Sequence, residues 1–472
     1  MREAVKSARC RARFLSNRGL TQVEPRILAR AEHPISRRDI DANVLKVLYR
    51  LAGAGHEAYL VGGSVRDLML SRRPKDFDVA TSAHPQQVRD LFRNSRMIGR
   101  RFRLVHVFFG RQNVEVATFR KQAEAVADAE DPMIRLDNTF GTPEEDAFRR
   151  DFTVNALFYS PQTFQVIDYP GGVGDLEARL IRTIGDPELR MREDPVRMMR
   201  AVRFAAKLGF EIEPATRAAI GRHRGDLAKA SVPRLVEETY RTLGQPEAAH
   251  ALVLMEELGL LEHVIPILSA HLKARAATLA EQPTVRNMSA LGRAIASAYA
   301  PEHSIVLAAL MLDLYREEHA RHLTGGEGGR RVDLLSALRA RGFARGDTEQ
   351  MRLMLEAFQN LAAPTRRTRR LMRRPYFPDA RMFFEMTAPT YAIEPTRTFQ
   401  FLADPDAYSQ TVGAPAGAPT PGGGRRRRRR RRRRGRHGGI HGASVHGVSP
   451  SGDLNGAAQS APASSPDPSR HD

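Results

Sequence analysis

Two glycines set between an apolar tetrapeptide and a helix-like stretch constrain this chain more than any other feature. Ala58-Tyr59-Leu60-Val61 reads as a short buried strand, Gly62-Gly63 breaks it, and Val65 to Leu70 continues as a helix. A glycine turn lets backbone approach a ligand closely, and a helix start offers free N–H groups to anions. Arg66 adds a guanidinium suited to a bidentate phosphate contact. An ordinary strand–turn–helix has the same pattern, so the next segment carries the weight. Phe77-Asp78-Val79 reads as a second strand. Alternate residues of a strand share a face, so Asp76 and Asp78 project together while Phe77 and Val79 turn inward. Two carboxylates so placed repel each other unless a divalent cation lies between them. Magnesium takes such oxygen ligands and keeps positions open for phosphate and water.

The rest of the first ~175 residues fits a mixed α/β unit. Val44, Leu45, Leu48 and Leu51 recur at helical spacing before Gly53 and Gly55. Pro85 to Phe92 is another helix, Leu104 to Phe109 and Val114 to Phe119 form a hairpin turning at Gly110, and Val154 to Tyr159 and Phe164 to Tyr169 are short apolar segments. After Asp175 the texture becomes helical and shows no fixed-period repeat. The expected division is a mobile basic arm over 1–36, a catalytic α/β head over 37–175, a helical neck over 176–245, a helical body over 246–400 and a disordered tail over 401–472.

Charge is concentrated at the ends. The chain of 472 residues carries a net charge of +20, and the unbroken run Arg425 to Arg434 with Arg436 supplies eleven of those charges. The tail, with Arg425, Arg430 and Arg434 as representatives, and a second cluster at Arg366, Arg367, Arg369, Arg370, Arg373 and Arg374 are expected to hold a polyanion. No apolar run approaches the ~20 residues of a membrane span. Nor does the chain start with the apolar stretch of a secretory signal. The single cysteine, Cys10, excludes a disulfide scaffold and a cysteine-ligated zinc site, so a reducing, cytoplasmic setting is expected.

Two further segments are dense in chemistry. In Glu145-Asp146-Ala147-Phe148-Arg149-Arg150-Asp151-Phe152-Thr153-Val154-Asn155, a carboxylate leads straight into apolar residues, which suggests metal ligation or an Arg150–Asp151 pair. Glu115, between Val114 and Val116, competes with Asp151 as third carboxylate of the site. In Arg192-Glu193-Asp194-Pro195-Val196-Arg197-Met198-Met199-Arg200, Asp194, Arg197 and Arg200 fall on one helical face. Asp accepts and Arg donates, so together they can read the edge of a base.

Taken in order, LVGGSVRDLML, RRPKDFDVATSAHP, VEVATFR, EEDAFRRDFTVNALFY, DYPGGVGDLEARLIRTIGDP and REDPVRMMRAVRFAAKLGF resemble the tRNA nucleotidyltransferase/poly(A) polymerase family of the DNA-polymerase-beta-like nucleotidyltransferases. The resemblance covers about residues 56–245 and weakens beyond about 250. It implies a beta-like nucleotidyltransferase head with an all-α neck and body. It also implies a magnesium site on Asp76 and Asp78, with Asp151 as third catalytic carboxylate. Gly62, Gly63, Arg66 and Arg150 would then lie near the triphosphate of ATP, and Asp194 and Arg197 at its base, with Arg200 nearby. The stretch Met97 to Val107 looks like the signature of bacterial poly(A) polymerases rather than CCA-adding enzymes, with His106 read as a packing residue in an apolar strand. The implied activity is template-independent, two-metal transfer of AMP from ATP to single-stranded RNA 3′ ends, with RNA-decay proteins as partners. The competing readings are a CCA-adding enzyme, which keeps every catalytic residue, and a non-catalytic RNA-binding protein.

Overall fold

The computed structural model describes residues 24–99, 104–121, 140–323 and 333–404. Its head is an eight-stranded sheet. In chain order the strands are β1 (Arg26–Leu28), β2 (Ala58–Val61), β3 (Asp78–Thr81), β4 (Ser95–Ile98), β5 (Leu104–Phe109), β6 (Gln112–Thr118), β7 (Leu157–Ser160) and β8 (Gln165–Asp168). Across the sheet they run β1-β8-β7-β2-β3-β6-β5-β4. Within this sheet of described residues only β3 and β6 pair in parallel; the chain crosses between them through β4 and β5.

The two faces of this sheet have different jobs. On one, Leu60, Val79, Val105 and Val116 sit side by side in register and are all but fully buried. They share a core with Val44, Val47, Leu48 and Leu51 of helix α1 (Ala42–Gly53). Each such side chain contributes on the order of 1.5–3 kcal/mol by leaving water. The register also strings one residue from every strand into a row on the opposite face. That row reads Ile27, Ile167, Phe158, Val61, Asp78, Glu115, His106 and Arg96. It is apolar for its first half and ionisable for its second, with the change falling between Val61 and Asp78. Val61 and Phe158 of the apolar half belong to a small cluster with Ala80, Phe119 and Ala156, and Ile167 packs against it, while Ile27 is exposed.

Helix α2 (Gly63–Met69) follows β2 directly, and α3 (Pro85–Leu91) follows β3. Helix α4 (Pro143–Phe148) is capped by a reciprocal pair, Thr142 and Glu145. Helix α5 (Gly172–Glu177) closes the head, and a two-residue parallel pairing of Leu180–Ile181 with Glu211–Ile212 ties it to the neck. The neck comprises α6 (Pro187–Glu193), α7 (Val196–Leu208), α8 (Pro214–His223) and α9 (Val232–Leu243). Arg203 of α7 donates to Glu238 of α9 at 2.5 Å, and α7 also packs on α10 (Ala248–Glu257). The body continues with helices Pro283–Ala296, His303–Leu323, Arg345–Ala362 and Phe377–Thr387.

The reading of 1–36 as a mobile arm needs correction over its second part. β1 pairs with β8 from Arg26 to Leu28, Ile35 is 1% exposed, and the His33 ring contacts the Phe164 carbonyl at 3.0 Å. A three-residue strand followed by single 3₁₀ turns leaves no period to detect in sequence. Residues 1–23 lie outside the described residues. So does the tail from 405 onward, with Arg425, Arg430 and Arg434; residues 401–403, assigned to that tail, complete the helix Pro395–Ala403.

Candidate active site

The break between β2 and α2 is built as its glycines suggest. Gly62 has φ +73°, and a Cβ there would stand 2.9 Å from Nη1 of Arg150. Arg150 therefore passes over the turn where a side chain would otherwise be. It is aimed by Asp146, a buried carboxylate that accepts from Arg150 (Nη2, 2.9 Å) and from Arg149 (Nη2, 2.6 Å). Burial opposes charge on Asp146, but Arg150 and Arg149 outweigh it and hold the carboxyl below its ordinary range. Arg190, 4% exposed, donates to the carbonyls of Arg149 (2.8 Å) and Arg150 (2.5 Å) and so fixes the turn that carries them. Arg190 escaped the sequence reading because one arginine among many in a helix carries no signal of burial.

These groups open onto a cavity of about 500 Å³, lined by Gly62, Gly63, Arg66, Asp78, Arg149, Arg150, Asp151, Asn155, Asp194, Arg197, Arg200, Phe204 and Arg234. It gathers nine of the ten residues singled out from the four motifs. Asp76 is the exception: it is exposed in the bend just before β3, which starts at Asp78, one residue later than the sequence suggests. It remains close enough to act on Asp78. The Asp78 side chain reaches solvent, yet crowding by the cavity walls pushes its carboxyl above the ordinary range. The Glu115 carboxylate adds to that shift, Arg150 opposes it, and Asp76 contributes further in the same direction. The three carboxylates thus form an acidic corner whose repulsion Arg150 only partly offsets, and an oxygen-ligand divalent cation fits such a donor set.

Asp151 does not belong to that corner. Its Oδ2 accepts from Arg200 (Nε 2.8 Å, Nη2 2.5 Å), and its Oδ1 accepts from the Phe152 backbone (2.8 Å) and Asn155 (3.2 Å). Burial opposes the charge, but the Arg200 guanidinium holds Asp151 below the usual carboxylate range. With both oxygens engaged, Asp151 joins the head to α7, while Glu115 stands in register with Asp78. Arg200 is correspondingly a partner of Asp151 at the cavity wall. Arg66, 2% exposed, is engaged as well, donating to Asp67 (2.7 Å) and Asn155 (2.5 Å) over the ring of Phe204. His106 is not buried among apolar groups: its Nε2 lies 3.2 Å from Glu115 Oε1.

The base-reading pair is also held differently from expectation. Asp194 accepts from the Val196 backbone (3.3 Å) and from Arg234 of α9 (2.7 Å), while Arg197 donates to Glu193 (3.1 Å) and the Arg190 carbonyl (2.9 Å). Asp194 and Arg197 thus present two separately anchored groups to one cavity. Arg234, forty residues away in sequence, was out of reach of a motif argument.

Elsewhere among the described residues, His271, Asp313 and Glu317 approach one another closely enough to hold a metal. Arg275 already sits on Asp313 (2.8 Å) and on Glu317, so a guanidinium supplies the positive charge there. Arg366, Arg367, Arg369, Arg370, Arg373 and Arg374 are all exposed on a 3₁₀ helix, Arg366–Arg373, and its end. Among the described residues no helix is long and apolar enough to cross a membrane.

Residues 58–182 match the poly A polymerase head domain, and residues 209–272 match the probable RNA and SrmB-binding site of polymerase A. Residues 58–272 thus resemble the head and RNA-binding domains of the tRNA nucleotidyltransferase/poly(A) polymerase family. It is 51% identical to poly(A) polymerase I of Escherichia coli O6:H1 over 252 residues, 52% of this chain and 54% of that protein. It is 40% identical to the CCA-adding enzyme of Bacillus velezensis over 227 residues, 48% of this chain and 56% of that one. The chain thus spans about half the length of the curated relatives it matches. Among solved structures, the Bacillus stearothermophilus CCA-adding enzyme in complex with CTP aligns with a TM-score of 0.56 at 28% identity, over 78% of this chain and 81% of that one. The fold is that of the CCA-adding enzymes: a nucleotidyltransferase head followed by helices.

Proposed function

We propose that this protein is a template-independent poly(A) polymerase that adds AMP from ATP to the 3′ ends of single-stranded RNA. The observation that carries the reading is the convergence, in one cavity, of Asp78, the glycine turn under Arg150, and the anchored pair Asp194 and Arg197. Arg150 lies where the triphosphate charge would gather, and Gly62 leaves room for it. Asp194 and Arg197 offer one acceptor and one donor at fixed positions, which suits the edge of a single base. Asp76, Asp78 and Glu115 are the residues that would hold magnesium, and in-line attack by the RNA 3′ oxygen on the α-phosphate then releases pyrophosphate. When bound, magnesium supplies the charge that acidifies the attacking hydroxyl and neutralises the leaving group. The residues of the chain do the rest: they place the triphosphate, select the base and fix the direction of attack.

Similarity to poly(A) polymerase I at 51% against 40% to a CCA-adding enzyme supports repeated adenylation. The solved CCA-adding enzyme keeps the second reading, CCA addition, in play. The exposed arginines at 366–374 supply an RNA grip, and RNA-decay proteins are the partners such an activity calls for. Purified protein, a short unstructured RNA, magnesium and each NTP separately distinguish the readings. ATP alone should give a long ladder and CTP little. Addition of one adenosine, only on RNA ending in CC, would favour the CCA-adding reading. No addition with any NTP would leave an RNA-binding protein.

A further inference from the structure

The ionisable half of the sheet row does not end at the acidic corner. Glu115 lies between Asp78 on one neighbouring strand and His106 on the other. His106 Nε2 is 3.2 Å from Glu115 Oε1, and the Asn113 amide stands 3.0 Å from His106 Nδ1. With the amide donating to Nδ1, a neutral ring carries its proton on Nε2, the nitrogen that faces the Glu115 carboxylate. The ring is itself fixed: its side chain is only 18% exposed, and it meets Phe108 edge-on with centroids 6.3 Å apart. Glu115, by contrast, is 48% exposed and would otherwise sample several rotamers.

We propose that Asn113 and His106 form a relay that holds Glu115 in position to complete the cation site beside Asp78. The inference rests on the nucleotidyl-transfer reading of that site. His106 is a positioning residue. Strands lie ~4.8 Å apart, so a residue two strands from Asp78 is roughly 10 Å away and cannot share its cation. One oxygen of Glu115 faces the ring nitrogen at 3.2 Å, and the other is left to serve as ligand. Asp151 shows the alternative, in which the protein engages both oxygens and no ligand remains. The arrangement also gives a physical role to His106, which the catalytic motifs leave unexplained: it sets a ring nitrogen behind the third carboxylate.

The test measures Mn2+ binding to the full-length protein by the EPR signal of free Mn2+, beside the magnesium concentration that gives half-maximal AMP transfer. His106→Leu keeps bulk and removes the donor; His106→Gln restores an N–H. Loss of an outer partner of a metal ligand typically costs 10–100-fold in affinity, and about tenfold is expected here because Glu115 is half-exposed. His106→Gln should recover most of that loss and Asn113→Ala should fall between. In a Glu115→Gln background, His106→Leu should cost nothing further. Wild-type Mn2+ affinity in His106→Leu, or an equal loss with and without Glu115, overturns the relay. Should His106→Leu fail to fold, Asn113→Ala decides, since Asn113 is exposed on the hairpin; unchanged Mn2+ binding there also overturns it. The underlying reading has its own control: if Asp78→Ala binds Mn2+ as the wild type does, the cation site itself is misplaced.

Discussion

At the scale of single residues, Asp78 is where the head stops being a scaffold. Its neighbour in the row on one side is Val61 and on the other Glu115, so burial and like charge meet at one carboxyl. Asp78→Ala should abolish AMP transfer, with Asp76→Ala close behind, and neither should change RNA affinity measured by filter binding. Residual turnover above about a tenth of wild type would contradict a cation-dependent site. Glu115 and Asp151 should separate cleanly. Glu115→Ala should cost transfer and leave the thermal midpoint nearly unchanged. Asp151→Ala should destabilise instead, by about 3–5 kcal/mol, because it strands the Arg200 guanidinium inside the protein. The pH dependence follows from the same pair. The folded pKa of Asp151 lies below its ordinary 3.8, so the unfolded chain takes up the proton first. The pair's contribution is therefore full above the ordinary carboxylate range and declines as pH falls through the depressed value, a loss that Asp151→Ala should remove from the stability profile.

Among elements, the β2–α2 break and the start of α7 line the cavity in which the proposed reaction selects its base. Gly62→Ala forces a side chain into a positive φ and against Arg150; we expect destabilisation of roughly 1–3 kcal/mol and a raised KM for ATP, read from denaturation midpoints and initial rates. Arg234→Ala should free one side of Asp194 and lower the ATP:CTP ratio of kcat/KM while ATP turnover falls less; an unchanged ratio would make the contact a surface ion pair. What could be read beforehand follows from range. The Ala58–Val61 strand and its glycine break are local patterns, whereas the sharing of one site by Asp78, Arg150, Asp194 and Arg197 is implied by the family resemblance. The partners of those residues are not local. Asp151 and Arg200 are 49 residues apart, Asp194 and Arg234 are 40, and Glu115 is beside Asp78 only through a parallel crossover. Sequence spacing carries no record of which arginine a given carboxylate meets, so the choice between Glu115 and Asp151 required the register of the sheet.

For the molecule as a whole, charge is divided between places with different tasks. The cavity arginines are mostly committed to internal carboxylates and carbonyls, so they shape a pocket instead of attracting a polymer. The cluster at 366–374 is exposed instead, and the run Arg425 to Arg434 concentrates charge in sequence. Ten consecutive arginines repel one another and have nothing apolar to fold against, so a polyanion is their natural counterpart. Each phosphate of a single strand that they neutralise contributes roughly −0.7 to the slope of log K against log salt. Deleting residues 420–472 should weaken RNA binding most at low salt and flatten that slope by about 0.7 for each phosphate the shortened chain no longer neutralises. Turnover on saturating RNA should stay near wild type, since the carboxylates and the cavity all lie before residue 235. Charge reversal at Arg366, Arg369 and Arg373 in the shortened chain should then remove most of the remaining salt dependence. An unchanged slope after deletion would assign the RNA grip to the helical body alone and leave the tail to another anionic surface.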